Sequence, residues 1–182
     1  MERNQHQVYT EYLILNALDG DSQSFGRLVN LWQPRLRRFA LRMTSAPDAV
    51  HDILQDVWIA VSKRLDRLDD PACFKRWLYR ITSNKCVDWI RKQERMRRLK
   101  KQYTAELEVE KSPEENLPRT TQIVRDAIQV LPYEQRLLIA LYYEESFRVS
   151  EISFLLSVPK GTVKSRLFKI RSDLKKLIEK EL

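Results

Sequence analysis

The sequence predicts an all-α protein: two small helical domains joined by an acidic linker, the second of them a helix-turn-helix. Three observations carry this. The 182 residues include only three glycines and seven prolines, too few for a turn-rich β protein. No stretch sustains the apolar–polar alternation of a strand, whereas apolar residues recur at helical spacing in almost every window. Between Gln102 and Pro118 that period stops, and "QYTAELEVEKSPEENLP" holds five glutamates, one lysine and two prolines. This is the composition of a linker. The domains therefore span residues 9–101 and 119–182, with 102–118 between them.

Element by element, the first domain opens with a helix through "FGRLVNLWQPRLRRFALRMT", capped by Asp21 or Ser22 and with Pro34 as its kink point. Ser45, followed by Pro47 and Asp48, starts the next. Its sequence "DAVHDILQDVWIAVSKRL" places Val50, Ile53, Leu54, Val57, Trp58, Val61 and Leu65 on one core stripe. A third helix begins near Asp70 and Pro71. After the linker, "TTQIVRDAIQVL", "YEQRLLIALYYEES", "VSEISFLLS" and "GTVKSRLFKIRSDLKKLIEKEL" restore the helical period. A short turn centred on Pro159 and Gly161 separates the last two. Ile152, Leu155 and Leu156 would then face Val158, Val163 and Leu167, as in a helix-turn-helix.

Composition narrows the function. With 33 Lys and Arg against 25 Asp and Glu the net charge is +8, which points to a polyanionic partner, nucleic acid ahead of membrane. Cys73 and Cys86 have no CxxC spacing and no His pair nearby, so they read as reduced, partly buried thiols. The N-terminus lacks the apolar core of a signal peptide, and no segment reaches the roughly 18 apolar residues of a membrane span. A cytoplasmic protein with no membrane insertion is expected. There is no carboxylate pair with a metal cluster, no Gly-rich phosphate loop and no nucleophile beside a base, and His6 and His51 are isolated. These absences predict a protein that is not an enzyme and needs no metal or cofactor.

Three surfaces remain. In the last helix Val163, Leu167, Ile170 and Leu174 form the core stripe, leaving Lys164, Ser165, Phe168, Lys169 and Arg171 outward. Cations and a hydroxyl suit phosphate, and a ring suits a thymine methyl; the alternative is that Phe168 packs on a neighbouring helix. On the helix from Asp48, Asp52, Gln55, Asp56, Ile59 and Lys63 lie opposite the core, with Ile59 central. An apolar residue among carboxylates on a basic protein reads as a protein-docking patch, or as an incidental exposed isoleucine. The segment "CFKRWLYRITSNKCVDWIRKQERMRRLKK" carries eleven cations between Lys75 and Lys101 against Asp88 and Glu94. Phe74, Trp77, Tyr79 and Trp89 interrupt it, a mixture suited to holding backbone and enclosing unpaired bases. Any one of these aromatics reads first as a core residue, but the segment as a whole does not, because two separate basic surfaces flank an acidic linker in one chain.

In their order and spacing these pieces resemble the bacterial sigma factors of the extracytoplasmic-function group, small specificity subunits of RNA polymerase. The resemblance covers nearly the whole chain. "DAVHDILQDVWIAVSKRL" is similar to the family's polymerase-docking helix, "FKRWLYRITSNKCVDWIRKQER" to its segment for the −10 element, and "VSEISFLLSVPKGTVKSRLFKIRSDLKKLI" to its −35 reader. The resemblance implies a region 2-like domain, a linker threading polymerase toward its active-site and RNA-exit channels, and a region 4-like domain. It implies that Asp52, Gln55, Asp56 and Ile59 dock on the clamp helices of the largest polymerase subunit, with the flap region as a further contact. Residues 65–74, including Leu68 and Phe74, would form the loop that captures an extruded base, with Asn84 hydrogen-bonding in the opened −10 region and Arg80 and Lys85 holding backbone. Lys164, Ser165, Arg166, Phe168, Lys169 and Arg171 match the recognition-helix positions, although helical projection turns Arg166 toward the core edge. Core polymerase, promoter DNA and an anti-sigma factor are the implied partners.

The chain departs from the family pattern in places. Arg148 stands where a capping Ser or Thr is frequent, which would shift that helix start by a residue. Ser157 replaces a frequent Asp, and the loop "DRLDDPAC" lacks a glycine often found there. No further domain is expected beyond Leu182, so regulation would come from a separate protein. The competing reading is a helix-turn-helix regulator that binds DNA without polymerase.

Overall fold

A computed structural model describes residues 5–101 and 119–181; the sequence-predicted linker lies outside the described residues. The chain is all-α and divides into two compact units, Met1–Thr104 and Ala105–Leu182. Each builds its own apolar core.

The first unit contains α1 (Gln5–Leu18), α2 (Ser22–Thr44), α3 (Pro47–Ser62) and α4 (Phe74–Lys101), with two 3-10 turns, Leu65–Arg67 and Pro71–Cys73, between α3 and α4. Asp21 caps α2, its carboxylate accepting from the Gln23 amide at 2.9 Å and the Ser24 hydroxyl at 2.6 Å. The Ser24 hydroxyl bond, with the Gln23 and Ser24 amides, holds the Asp21 carboxyl below its ordinary range. α2 runs through Pro34 without interruption. Pro34 and Asn30 are both exposed, so water can reach the carbonyl that proline leaves unbonded.

Ser45 does not start α3. It takes the left-handed conformation (φ 53°) and ends α2, its amide donating to the Leu41 carbonyl at 2.8 Å. The N-cap of α3 is Ala46, which offers no side-chain bond, and Pro47 at the first helical position sets the start instead. Val50, Ile53, Leu54, Val57, Trp58, Val61 and Leu65 are all buried, as their spacing requires. They meet Leu28, Trp32, Leu36 and Phe39 of α2 and Leu78, Tyr79 and Cys86 of α4 in one core. Buried polar atoms are satisfied locally: the Thr82 and Ser83 hydroxyls donate to the Leu78 and Tyr79 carbonyls at 2.9 and 2.7 Å.

The second unit contains α5 (Arg119–Gln129), α6 (Tyr133–Ile139) continuing into a π turn (Ala140–Glu144), α7 (Val149–Leu156) and α8 (Lys160–Glu181). α7 begins at Val149, with Arg148 at the N-cap. The start is not shifted by the missing Ser or Thr, because the Glu151 carboxylate reaches back to accept from the Arg148 amide at 2.8 Å. The turn between α7 and α8 is centred on Ser157 (φ 55°), not on Gly161, which lies in the first turn of α8. The Val158 amide donates to the Ser153 carbonyl at 3.0 Å, and the Ser153 hydroxyl donates to the Val158 carbonyl at 2.6 Å. Ser153 thus closes the turn from both sides. Ile152 and Leu155 are buried against Val163, Leu167 and Ile170.

Gly26 lies inside α2, is exposed, and a Cβ there would meet nothing within 4 Å. Gly26→Ala is expected to stabilise the first unit by about 0.5–1 kcal/mol through reduced unfolded-state entropy. Urea denaturation of wild type and variant checks this.

Candidate nucleic-acid and docking surfaces

The outward face of α8 follows from its core stripe. Burying Val163, Leu167 and Ile170 leaves Lys164, Ser165, Phe168, Lys169 and Arg171 exposed. Phe168 is 74% exposed, so the packing alternative does not hold within this unit. Residues 164, 168 and 171 share one face by the i, i+4, i+7 rule, with Ser165 beside them. The Ser165 hydroxyl donates to the Thr162 carbonyl at 3.1 Å. Arg166 is also exposed but turns sideways: with Lys169 it lines a small cleft against Glu134, Gln135 and Leu138 of α6. The face nearest the protein edge is thus cationic, and an apolar ring stands at its centre.

α4 contributes the second surface. Arg80 and Asn84, four residues apart, are exposed on one face, and Arg91, Lys92, Arg95, Arg97 and Arg98 continue the basic run outward. Lys85 is half-buried and its Nζ lies 3.4 Å from the Asp56 carboxylate of α3. The loop before α4 is ordered by Asp70, whose carboxylate accepts from the Ala72 amide at 2.9 Å and caps the second 3-10 turn. Leu68 sits between the two turns in extended conformation, half-buried. No loop residue adopts a positive φ, which explains how "DRLDDPAC" dispenses with glycine.

Phe74 is a correction to the set of base-contacting residues. It is 1% exposed, its ring 5.8 Å edge-on from Trp32 and 5.9 Å from Trp77. As the first residue of α4 it fills the gap between α4 and α2, so its ring anchors the loop and cannot reach a base. Tyr79 is buried too, edge-on to Phe39 at 5.0 Å. Of the four aromatics in this segment, Trp77 and Trp89 keep partial access to solvent.

The third surface is the outer face of α3. Asp52, Gln55 and Asp56 are exposed, and Ile59 is 44% exposed among them. Its partner Lys85 makes Asp56 the link between this face and the α4 surface. Both cysteines are free thiols; burial pushes Cys86 up to about 12, and burial is also the main cause raising Cys73. Among the described residues no group of His, Cys, Asp and Glu could hold a metal ion, and no helix is long and apolar enough to cross a membrane.

Sequence reasoning missed one surface. On α1, Val8, Tyr9, Tyr12, Leu15 and Leu18 are exposed, while Leu13 and Ile14 are buried on the other side. The signal was a short helix whose apolar residues fall on both sides and form no single stripe.

Two family matches cover most of the chain. Residues 28–96 match the Sigma-70 region 2 family and residues 121–174 match Sigma-70, region 4. The chain is 30% identical over 176 residues to the ECF RNA polymerase sigma factor SigW of Bacillus subtilis, covering 86% of this chain and 90% of that protein. It is 29% identical over 176 residues to the ECF RNA polymerase sigma-E factor of Escherichia coli K12, covering 91% and 92% of the two. The sigma factor RpoE of Bartonella quintana, solved in complex with the anti-sigma factor NepR, has a TM-score of 0.71 at 25% identity over 86% of this chain and 98% of that one. CnrH, solved with the cytosolic domain of CnrY, shares the fold at a TM-score of 0.70 and 22% identity over 96% of this chain and 99% of that one. With both sigma regions in order and a relative at this identity along most of the chain, the protein belongs to the sigma-70 family, in its ECF group of RNA polymerase sigma factors.

Proposed function

We propose that the chain recruits core RNA polymerase to promoters through the three surfaces described, each with a separate task. Asp52, Gln55, Asp56 and Ile59 dock on the clamp helices of the largest polymerase subunit. Lys164, Ser165, Phe168, Lys169 and Arg171 enter the major groove at the −35 element, with Arg166 holding backbone at the margin. Arg80, Asn84 and Lys85 hold the opened −10 strand beside the loop carrying Leu68. The factor acts in the cytoplasm, catalyses no reaction itself, and is held inactive by an anti-sigma factor, as the Bartonella relative is found with NepR.

The observation that carries this reading is Phe168, an aromatic ring held in solvent with Lys164, Ser165, Lys169 and Arg171 exposed around it. Burying such a ring against a thymine methyl recovers apolar surface that the free protein leaves wet. Lys164, Lys169 and Arg171 supply the sequence-independent phosphate attraction around it. A flipped base costs a few kcal/mol of unstacking, which A·T-rich steps lower, so opening requires no nucleotide hydrolysis by this chain. The Lys85–Asp56 pair places one docking carboxylate and one backbone-holding cation in competition for each other. At such exposure the pair is worth about 0–1 kcal/mol, weak enough for polymerase or DNA to break. A helix-turn-helix regulator acting without polymerase leaves the α3 face and the basic face of α4 without a task.

Ile59→Asp is expected to abolish binding to core polymerase with an unchanged thermal melt, and full retained affinity would sink the docking assignment. Phe168→Ala is expected to leave folding intact and to relax discrimination at one −35 position by about 1–3 kcal/mol, read by competition binding with single-base variants. Lys164→Ala or Lys169→Ala should instead weaken binding to all sequences and flatten the salt dependence by roughly one unit of slope. Phe74→Ala is expected to destabilise the first unit by about 3–5 kcal/mol, seen in denaturant titration, the opposite of its neighbours in the loop. Run-off transcription from genomic fragments with purified core enzyme tests the whole scheme; DNA binding without any core-dependent transcript would favour the polymerase-independent regulator.

A further inference from the structure

α2 carries charge that none of the three surfaces uses. From Ser22 to Thr44 it holds five arginines, Arg27, Arg35, Arg37, Arg38 and Arg42, and no carboxylate. All five are exposed. Arg35, Arg38 and Arg42, at i, i+3 and i+7, lie within about 60° of one another around the helix and span about 10 Å along it. Arg27 extends this side of α2 toward its N-terminus. Arg37 is turned away, about 100° from Arg38 and about 160° from Arg35. Like charges three and four residues apart repel, so the row weakens the helix where a face of mixed sign would support it.

One end of the row is held in place. The Arg35 guanidinium sits 5.8 Å over the Trp32 ring, whose indole donates to the Thr10 hydroxyl at 3.2 Å. A guanidinium already stacked on a fixed ring loses little freedom when it takes up a partner. His6 lies 5.1 Å edge-on from the same ring, and Lys75 enters from the first turn of α4. Burial, and then the charges of Arg35 and Lys75, hold His6 below its ordinary value, so the three groups share one positive field. The carboxylates of the neighbouring elements are engaged elsewhere or stand beyond the ends of the row. Glu11 of α1 accepts from the Gln7 amide at 3.0 Å, Asp21 caps α2, and Asp70 caps the turn before α4. Asp48 belongs to the first turn of α3, and Asp69 to the loop.

We propose that Arg35, Arg38 and Arg42, with Lys75 at one end, form a fourth surface that holds the phosphate backbone of DNA without reading its sequence. Guanidinium groups take phosphate oxygens in bidentate pairs, and an unbroken row of them suits a repeating anion. A protein partner fits less well, because docking patches gather around an apolar centre, which Ile59 supplies on α3 and this row lacks. The one exposed large apolar side chain of α2, Leu41, is turned about 100° from Arg42. On α4, Lys75 projects about 140° from Arg80 and about 180° from Asn84. The row is thus separate from the face those residues form, and it adds to the footprint on DNA. It stands whether or not the −10 and −35 assignments do.

Fluorescence anisotropy of the full chain with a labelled duplex and a labelled single strand, both of unrelated sequence, tests the proposal between about 25 and about 200 mM KCl. Arg38→Gln and Arg42→Gln should each lower affinity and flatten the plot of log K against log salt, by about 0.9 on duplex or about 0.7 on single strand. Whichever form responds is the one the row holds. Arg37→Gln removes the same charge from the same helix but off the row, and should leave the slope unchanged. His6 gives a local readout: phosphate bound beside it offsets Arg35 and Lys75, so its NMR titration should move to higher pH with DNA, and less so in Arg38→Gln. Equal flattening by Arg37→Gln overturns the proposal, since net charge alone then accounts for the effect. So does an unchanged slope in both row variants, or a His6 titration that DNA does not move. If the row variants lose affinity for core polymerase and keep it for DNA, the partner is an acidic protein face and the proposal is excluded. With unrelated DNA and no polymerase in the binding assay, failure of the promoter-reading scheme cannot imitate these results.

Discussion

Trp32 is the point on which the first unit depends. From the middle of α2 its indole N–H holds the Thr10 hydroxyl of α1, its ring takes the edges of His6 and Phe74, and Arg35 covers its outer face. One side chain thus fixes α1, the end of the loop and the start of α4 against α2. Because interiors are close-packed, a shift at this ring is passed to all three elements together. The position of Leu68, and of the basic face that begins with Arg80, is set from beneath by a buried aromatic cluster.

The recognition helix in the second unit is set by different means. The π turn that ends α6 closes on Phe147, whose amide donates to the Leu141 carbonyl at 2.9 Å. Phe147 is buried, so the irregular backbone is tied directly into the core under α7. Beyond it, Ser153 and the left-handed Ser157 fix the angle between α7 and α8. The outward residues of α8 inherit that angle, and nothing about their own chemistry is needed to explain where they point.

Much of this was readable in advance, and each miss has its own physical cause. The stripe on α3 was legible because seven apolar residues at helical spacing admit only one inward face. The helix-turn-helix was legible because α7 and α8 each carry such a stripe on either side of a short break. Ser45 was misplaced because serine suits both an N-cap and a left-handed C-cap through the same short side chain. Gly161 attracted the turn for its freedom, yet the backbone turned at Ser157, where the Ser153 hydroxyl and the buried contacts of Ile152 and Leu155 outweigh the conformational penalty. Phe74 read as exposed because what buries it, Trp32, is remote in sequence, and composition among lysines and arginines says nothing about a distant neighbour. The open face of α1 was invisible because its apolar residues are spread around the helix, and no single stripe marks which side packs.

The loop between α3 and α4 has a consequence that reaches beyond its shape. Leu65 and Phe74 anchor its two ends in the core, two 3-10 turns take up most of its length, and the Asp70 carboxylate caps the second of them. Little backbone freedom is left to lose. Under the proposed function, a base arriving there meets a receptor that is already preorganised, so the free energy of contact does not have to offset the ordering of the loop itself. Discrimination among bases is then sharpened by stiffness, since a loop that cannot yield to a poorly fitting base rejects it instead of adapting.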